Sequence, residues 1–378
     1  MNIIILGPAY PYRGGPATFN NRLALQLASE GHNVKVVTFT LQYPGLLFPG
    51  KTQFTDAPAP EGIKISRKLN TINPFNWIIT GYKIKRERPD ILLVRFWLPF
   101  MGPSIGTVAR FVRSNKYTKV ICIFDNVIPH EKRPGDRPLT HYFVNSIDGA
   151  IVMSGTVYDE LKCFRNNLAV KLTPHPLFDN YGLPTGQSEA LSILNLDPDY
   201  SYLLFFGFIR AYKGLDLLIE AFSDGRLRNK KLRLIVAGEF YDDRMLYLNL
   251  INRYNLNDDI IFFDHFIKDC DVSLFFSSAS LIVQPYRSAT QSGVTQIAFH
   301  FEKPILVTDV GGLSEIVTDK RNGYVVKPVP ESIADAILDY FENNRQSQFI
   351  NEVRKEKEKF SWDKMTATIQ DIYKNLTL

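Results

Sequence analysis

The sequence predicts an α/β protein made of two Rossmann-like, doubly wound domains facing a central cleft. Three observations predict it. Short apolar runs alternate with helical stretches along most of the 378 residues, as parallel strands covered on both faces require. The alternation stops once, between Pro174 and Ser201, where four prolines and two glycines gather, and then resumes. A chain of this length is also better served by two cores than by one. The expected boundaries are an N-terminal domain over 1–180 and a C-terminal domain over 190–361, with a helix over 362–378 packing back on the first.

In the first domain, Asn2 to Leu6 is a short buried strand and Tyr12-Arg13-Gly14-Gly15-Pro16 is a turn. From Ala17, the residues Phe19, Leu23, Ala24 and Leu27 recur at helical spacing until Gly31. Strands follow at Val34–Phe39, Ile91–Val94, Lys119–Phe124 and Ala150–Met153. The second series runs strand Tyr202–Phe206, helix Leu215–Phe222 and strand Arg233–Ala237. Further strands are expected at Ile260–Phe263, Leu281–Gln284 and Ile305–Thr308. The tail carries Met365, Ile369, Ile372 and Tyr373 on one helical face. Ligands of such sheets sit at the carboxyl ends of the strands, so the loops there are the places to search.

Composition narrows the function. A net charge of +5 with cations scattered among acids gives no nucleic-acid stripe. Cys122, Cys163 and Cys270 are far apart and odd in number, which suits a reducing compartment rather than a disulfide framework. They form no zinc-ligand spacing, and Asp269-Cys270-Asp271 is better explained as a helix cap than as a metal motif. No apolar run reaches the roughly 18 residues of a membrane span, and the N-terminus lacks the pattern of a signal peptide. A cytoplasmic protein is expected, in contact with the inner face of the membrane.

Three strand-to-helix loops of the second half could hold phosphate. The first, GFIRAYKG at 207–214, offers Gly207 for a sharp turn, then Arg210 and Lys213, then a positive helix end. Arg210 can fork onto diphosphate oxygens and Lys213 can add a point charge; two solvated loop cations are the plain alternative. The second runs from 285 to 298, where Thr290, Gln291, Ser292 and Gly293 could present backbone N–H groups and hydroxyls. A simple Ser/Thr helix cap would explain it as well. The third holds Gly311 and Gly312, with Glu315 expected to begin a helix.

The order of these pieces resembles the retaining GT-B glycosyltransferases of family 4, the glycosyl transferases group 1, over nearly the whole chain. The matching segments are the glycines at 14–15, GFIRAYKGLDLLIEAF at 207–222, VAGE at 236–239 and KPILVTDVGGLSEIVTDKRNGYVV at 303–326. The resemblance implies a nucleotide-diphosphate sugar held by the C-terminal half, an acceptor held by the N-terminal half, and chemistry in the cleft without a metal or other cofactor. It also implies transfer to a glycan or lipid-linked acceptor in envelope polysaccharide or glycolipid synthesis. Two places depart from the family. Phe208 stands where an arginine usually follows the glycine, so Arg210 must substitute. Ala289 and Ile297 stand where two glutamates are usual, and Gln296 or Gln291 would take over part of the donor-ribose contact.

On the acceptor side, Gly14 and Gly15 allow close backbone approach to the donor phosphate or the acceptor. The loop FDNVIPHEKRPGD at 124–136 brings Asp125 and Asn126 as acceptor ligands, and His130 with Glu131 to bind hydroxyls or take a proton. A turn around Pro129 would account for the same letters. No nucleophilic carboxylate pair is evident, so leaving-group stabilisation by Arg210 and Lys213 is the expected chemistry. Phe75 and Trp77 beside Lys83, Lys85, Arg86 and Arg88, with RFWLPFMGP at 95–103 and LLFP at 46–49, suit peripheral contact with a bilayer. A helix with a core face and a solvated charged face would suit the same residues. Two other functions fit the fold: a catalytically weak nucleotide-sugar-binding partner subunit, and a sugar-nucleotide epimerase. A phosphorylase would need a lysine site for pyridoxal phosphate, which no segment supplies.

Overall fold

The computed structural model describes residues 1–45, 48, 52–129, 133–228 and 230–377. The chain divides into two compact units, Met1–Pro176 with Ser361–Leu378, and Leu177–Phe360.

The first unit is a parallel sheet wrapped by helices. In chain order it holds β1 (Asn2–Leu6), α1 (Gly15–Ser29), β2 (Asn33–Leu41), β3 (Lys64–Asn70), α2 (Pro74–Glu87), β4 (Ile91–Phe96), α3 (Gly102–Arg113), β5 (Lys119–Phe124), α4 (Asp136–Val144), β6 (Gly149–Val152), α5 (Gly155–Phe164) and β7 (Ala169–Leu172). The strand order is β3-β2-β1-β4-β5-β6-β7, and the pairings are parallel. Central strands such as ILLVRF are buried along their whole length, because helices cover both faces. Leu6, Phe39, Val94, Phe124 and Val152 lie in the resulting core.

The second unit repeats the plan. It holds α6 (Gln187–Ile193), β8 (Ser201–Phe206), α7 (Leu215–Phe222), α8 (Gly225–Arg228), β9 (Leu232–Ala237), α9 (Arg244–Tyr254), β10 (Ile260–Phe263), α10 (Val272–Ser278), β11 (Leu281–Gln284), α11 (Gly293–His300), β12 (Ile305–Thr308), β13 (Gly323–Val326), α12 (Pro330–Glu342) and α13 (Gln346–Glu356). Its sheet runs β10-β9-β8-β11-β12-β13, all parallel, over a core containing Leu203, Leu218, Val236, Val283 and Leu306. The last helix, α14 (Trp362–Thr377), belongs to the first unit. Met365, Ile369 and Ile372 are its buried face, and a methyl built on Gly149 of β6 would stand 2.8 Å from Ile372 Cδ1. Its rim is tied to α1, where Thr366 Oγ1 donates to Glu30 at 2.6 Å and Gln26 Nε2 donates to Asp363 at 2.7 Å.

Five features differ from the sequence expectations. Strands β3 and β7, at the two edges of the first sheet, exist without the continuous apolar run of a central strand, and β13 is a four-residue strand at an edge of the second. The Pro174–Ser201 interruption contains helix α6. Glu315 starts no helix; Gly311–Leu313 is a single 3₁₀ turn. Helix α2 turns Thr80, Gly81 and Ile84 inward, and most of its large apolar residues face solvent. At Asp269-Cys270-Asp271, Asp271 is the residue before α10 but makes no side-chain cap bond.

Candidate functional site

The order in which strands are added reverses once in each sheet, between β1 and β4 in the first unit and between β8 and β11 in the second. Loops leaving the carboxyl ends of strands on either side of such a reversal part from one another and leave a crevice.

In the second unit that crevice is bounded by the loops after β8 and β11. After β8 the chain forms a 3₁₀ turn, Ala211–Lys213, and enters α7 through Gly214. Gly214 has φ of +67°, and a Cβ there would lie 2.0 Å from the Pro285 carbonyl oxygen, so the two loops touch only because this residue has no side chain. Lys213 folds back toward the strand end. Its Nζ lies 3.3 Å from the position a Cβ would take on Gly207 and 5.7 Å from the centre of the Tyr286 ring. Lys213 is buried and has no carboxylate partner among the described residues. Burial, and then the charge of Arg210, bring its pKa down to about 7. The Arg210 guanidinium lies 5.0 Å from the centre of the Tyr241 ring. Phe208 packs on Tyr241 and Phe266, with centroids 4.5 and 6.1 Å away.

The loop after β11 is welded to this segment by Arg287, which sequence reasoning passed over. Its two terminal nitrogens donate to the Asp216 carboxylate at 2.6 Å each, and its backbone N–H donates to Tyr212 O at 2.7 Å. Nothing local signals this pair, since its members lie 71 residues apart. Ser292 caps α11: its hydroxyl accepts from Val294 N at 3.2 Å and from Gln284 Nε2 at 3.0 Å. The hydroxyl is therefore occupied in capping. Thr290 is buried, and its carbonyl accepts from Gly312 N at 3.2 Å, while Gly293 opens α11 beneath Phe178. The loop after β12 closes against the same segment. Gly311 has φ of +52°, and a Cβ there would come 1.5 Å from Ala289 O. Arg210, Lys213, Thr290, Ser292 and Gly293 thus stand on loops that touch one another. Ala289 and Ile297 are buried. Among the described residues, neither amide atom of the buried Gln296 is hydrogen-bonded, and Gln291 Oε1 also lacks a partner.

The first unit gathers a polar centre of its own at the ends of β1, β4 and β5. Gly14 caps α1, its carbonyl accepting from Ala17 N and Thr18 N at 3.0 and 3.1 Å, and Gly15 opens the helix with no atom within 4 Å of where its Cβ would stand. Arg95 ends β4 and is buried. Its guanidinium lies 3.7 Å from the centre of the Phe19 ring, Nε donates to Asp125 Oδ2 at 2.8 Å, and a second nitrogen binds Oδ1. Arg95 Nη1 is buried without a partner among the described residues. One charge inside an otherwise apolar strand was the available signal for Arg95, since such a charge needs a buried counter-ion. Asp125 and Asn126 follow β5 directly, half-buried. His130 and Glu131 lie outside the described residues. His175 is buried against Phe19, and its Nδ1 is 2.6 Å from Pro176 O. Burial, and then Arg95, push its pKa down to about 3, so the ring is neutral and Nδ1–H donates to that carbonyl.

Residues 187–356 match the family described as glycosyl transferases group 1. An uncharacterized glycosyltransferase of Methanocaldococcus jannaschii is 29% identical over 322 residues, covering 82% of this chain and 83% of the relative. The sucrose-phosphate synthase of Thermosynechococcus elongatus superposes with a TM-score of 0.78 at 17% identity, over 100% of this chain and 99% of that one. The Anabaena protein HepE, solved in complex with UDP, gives 0.75 at 13% identity, over 99% and 100%. Those two likenesses show the fold, which is GT-B. The chain is thus similar to the glycosyl transferases group 1 over its second unit, and it has this fold throughout.

Proposed function

We propose that this protein transfers a sugar from a nucleotide-diphosphate donor to a glycan or lipid-linked acceptor. Anomeric configuration is retained, and neither a metal nor another cofactor takes part. The work belongs to envelope polysaccharide or glycolipid synthesis, at the cytoplasmic face of the membrane. The observation that carries this reading is Lys213, a buried cation with no carboxylate beside it among the described residues. A buried charge is costly unless paired, and a diphosphate is the anion that a switch-point crevice of this fold would receive. Arg210 adds a second cation on the same short loop.

The bond from the anomeric carbon to the phosphate oxygen breaks while the acceptor oxygen bonds the same face. The acceptor proton passes to the leaving phosphate. Arg210 and Lys213 offset the charge that grows on that phosphate. Gly207, Gly293 and the backbone of Thr290 lie beside the diphosphate, Gln291 and Gln296 toward the ribose. Asp125 and Asn126 bind the acceptor, with His130 and Glu131 on the same loop.

One observation favours a second reading. Ala289 and Ile297 place buried apolar side chains where the family resemblance implies carboxylates, which suits a partner subunit that binds nucleotide sugars but turns them over weakly. Calorimetry with UDP, GDP and ADP, followed by release of nucleotide from the matching sugars, separates the two. UDP comes first, because HepE was solved with it. The expected result is micromolar binding of one nucleotide, weakened about tenfold or more (about 1.4 kcal/mol) in Arg210→Ala and Lys213→Ala, with slow donor hydrolysis. Binding without hydrolysis or transfer selects the partner subunit. Near-normal affinity in both variants, or no binding of any of the three nucleotides, sinks the proposed grip.

A further inference from the structure

Helix α2 is amphipathic with its faces reversed. Phe75 is 78% exposed, Ile79 and Tyr82 are each 53% exposed, and Ile78 is exposed beside them. Spacing of i, i+3, i+4 and i+7 places these four side chains in one stripe, the pattern that usually faces a core. Ile72, just before the helix, lengthens the exposed apolar surface.

The opposite face fixes this orientation. Trp77 Nε1 donates to Asn70 O at 2.7 Å, and Asn73 caps the first turn by accepting from Asn76 N at 3.2 Å. A Cβ on Gly81 would stand 2.8 Å from Phe111 Cβ of α3. The helix therefore cannot roll its stripe inward without separating α2 from α3.

Charge says what covers the stripe. Lys83, Lys85 and Arg86 follow it along the helix and Arg88 comes next in the chain; among the described residues none of the four has an ion-pair partner. The neighbouring acid, Glu87, is taken up by Lys35 at 2.8 Å. A second copy docking stripe to stripe would bring these cations together, whereas an anionic surface would pair with them. Among the described residues no helix is long and apolar enough to cross a membrane.

We infer that α2 is an interfacial anchor. It lies flat on an anionic bilayer, with Phe75, Ile78, Ile79 and Tyr82 in the acyl boundary and Lys83, Lys85 and Arg86 among the headgroups. A 14-residue helix is short, so the attachment is reversible and depends on both the apolar and the cationic part. This inference goes beyond the transfer reaction and does not depend on which donor is used.

Cosedimentation of the full chain with vesicles tests it, using phosphatidylcholine alone and phosphatidylcholine with roughly 30% phosphatidylglycerol. Binding is expected to the mixed vesicles and to fall with salt. Phe75→Ser with Ile79→Ser should lower partition roughly tenfold. Lys83→Glu with Arg86→Glu should lower it on the order of fivefold per cation or more. These side chains are exposed, so melting temperatures should hold, and UDP affinity in both variants should match the parent. No binding of the parent to mixed vesicles overturns the inference, as does unchanged binding of the serine variant. A dimer in sedimentation equilibrium that Phe75→Ser makes monomeric would give the stripe to a second copy instead. Loss of UDP binding in the parent bears on the proposed donor alone.

Discussion

On the proposed reading, Lys213 is a liability in the empty protein and an asset in the loaded one. Its pKa falls from 10.5 to about 7 on folding. Between those values the unfolded chain holds more protons than the folded one, so this group makes stability rise as pH climbs from 7 to 10.5. Below pH 7 the penalty is complete. Lys213→Met keeps the length of the side chain and removes the charge. At pH 6 it should raise the melting temperature by roughly 2–4 °C, the equivalent of about 1 kcal/mol, and the gain should shrink toward pH 10. UDP affinity at pH 6 should fall about tenfold or more. In the parent, UDP binding at pH 8 should take up a proton, because the diphosphate restores the ammonium. Melting curves across pH, with calorimetry in two buffers of different ionisation enthalpy, read both effects. A lower melting temperature at pH 6 with unchanged UDP affinity would make Lys213 an ordinary structural lysine.

At the scale of elements, legibility followed burial. Strands in the middle of each sheet, such as β4 and β11, are buried at every residue and announce themselves as apolar runs. β3, β7 and β13 stand at sheet edges; KISRKLN is largely polar and AVKL exposes Ala169 and Leu172, so neither gives a continuous buried run, and β13 has four residues. Helix α2 was ambiguous for the opposite reason, since its spacing is right but nothing in the sequence says which face meets α3. The loops of the site were legible as glycine-rich strand ends, while their mutual contacts were not. Arg287 and Asp216 meet only because β8 and β11 pair. Two glycine substitutions separate fold from ligand here. Gly311→Ala puts a methyl 1.5 Å from Ala289 O at a φ of +52°, so it should cost about 2–4 kcal/mol and lower the melting temperature by roughly 5–10 °C. Gly15→Ala meets no atom within 4 Å at the first turn of α1 and should leave stability within about 0.5 kcal/mol or raise it slightly. Any loss of transfer in Gly15→Ala would then report a ligand that needs bare backbone there. Full transfer activity in that variant would remove Gly15 from the site, and an undisturbed Gly311→Ala would show that the loops after β11 and β12 do not rely on their close approach.

At the scale of the whole molecule, each unit has its own sheet, its own core and its own switch-point crevice. Lys213, buried with no carboxylate partner among the described residues, is in the second; the clamped Arg95–Asp125 pair is in the first. That asymmetry is why we propose the second unit for the donor diphosphate: among the described residues Arg95 has a carboxylate partner and Lys213 has none. Hydrogen exchange with and without UDP tests the assignment on the intact chain. Slowed exchange is expected at 207–214, at 285–293 and at 311–313, the three loops that touch through Gly214 and Gly311. A ligand that binds only the folded state stabilises by RT ln(1 + [L]/Kd), about 2.7 kcal/mol at a hundredfold excess over Kd, enough to slow those amides about a hundredfold where they exchange by opening of this unit. Protection that also reaches 14–18 would bring the glycine turn of the first unit to the donor, as its proposed contact with the donor phosphate requires. Protection confined to the first unit would move the donor to the Arg95 crevice and leave Lys213 without its anion.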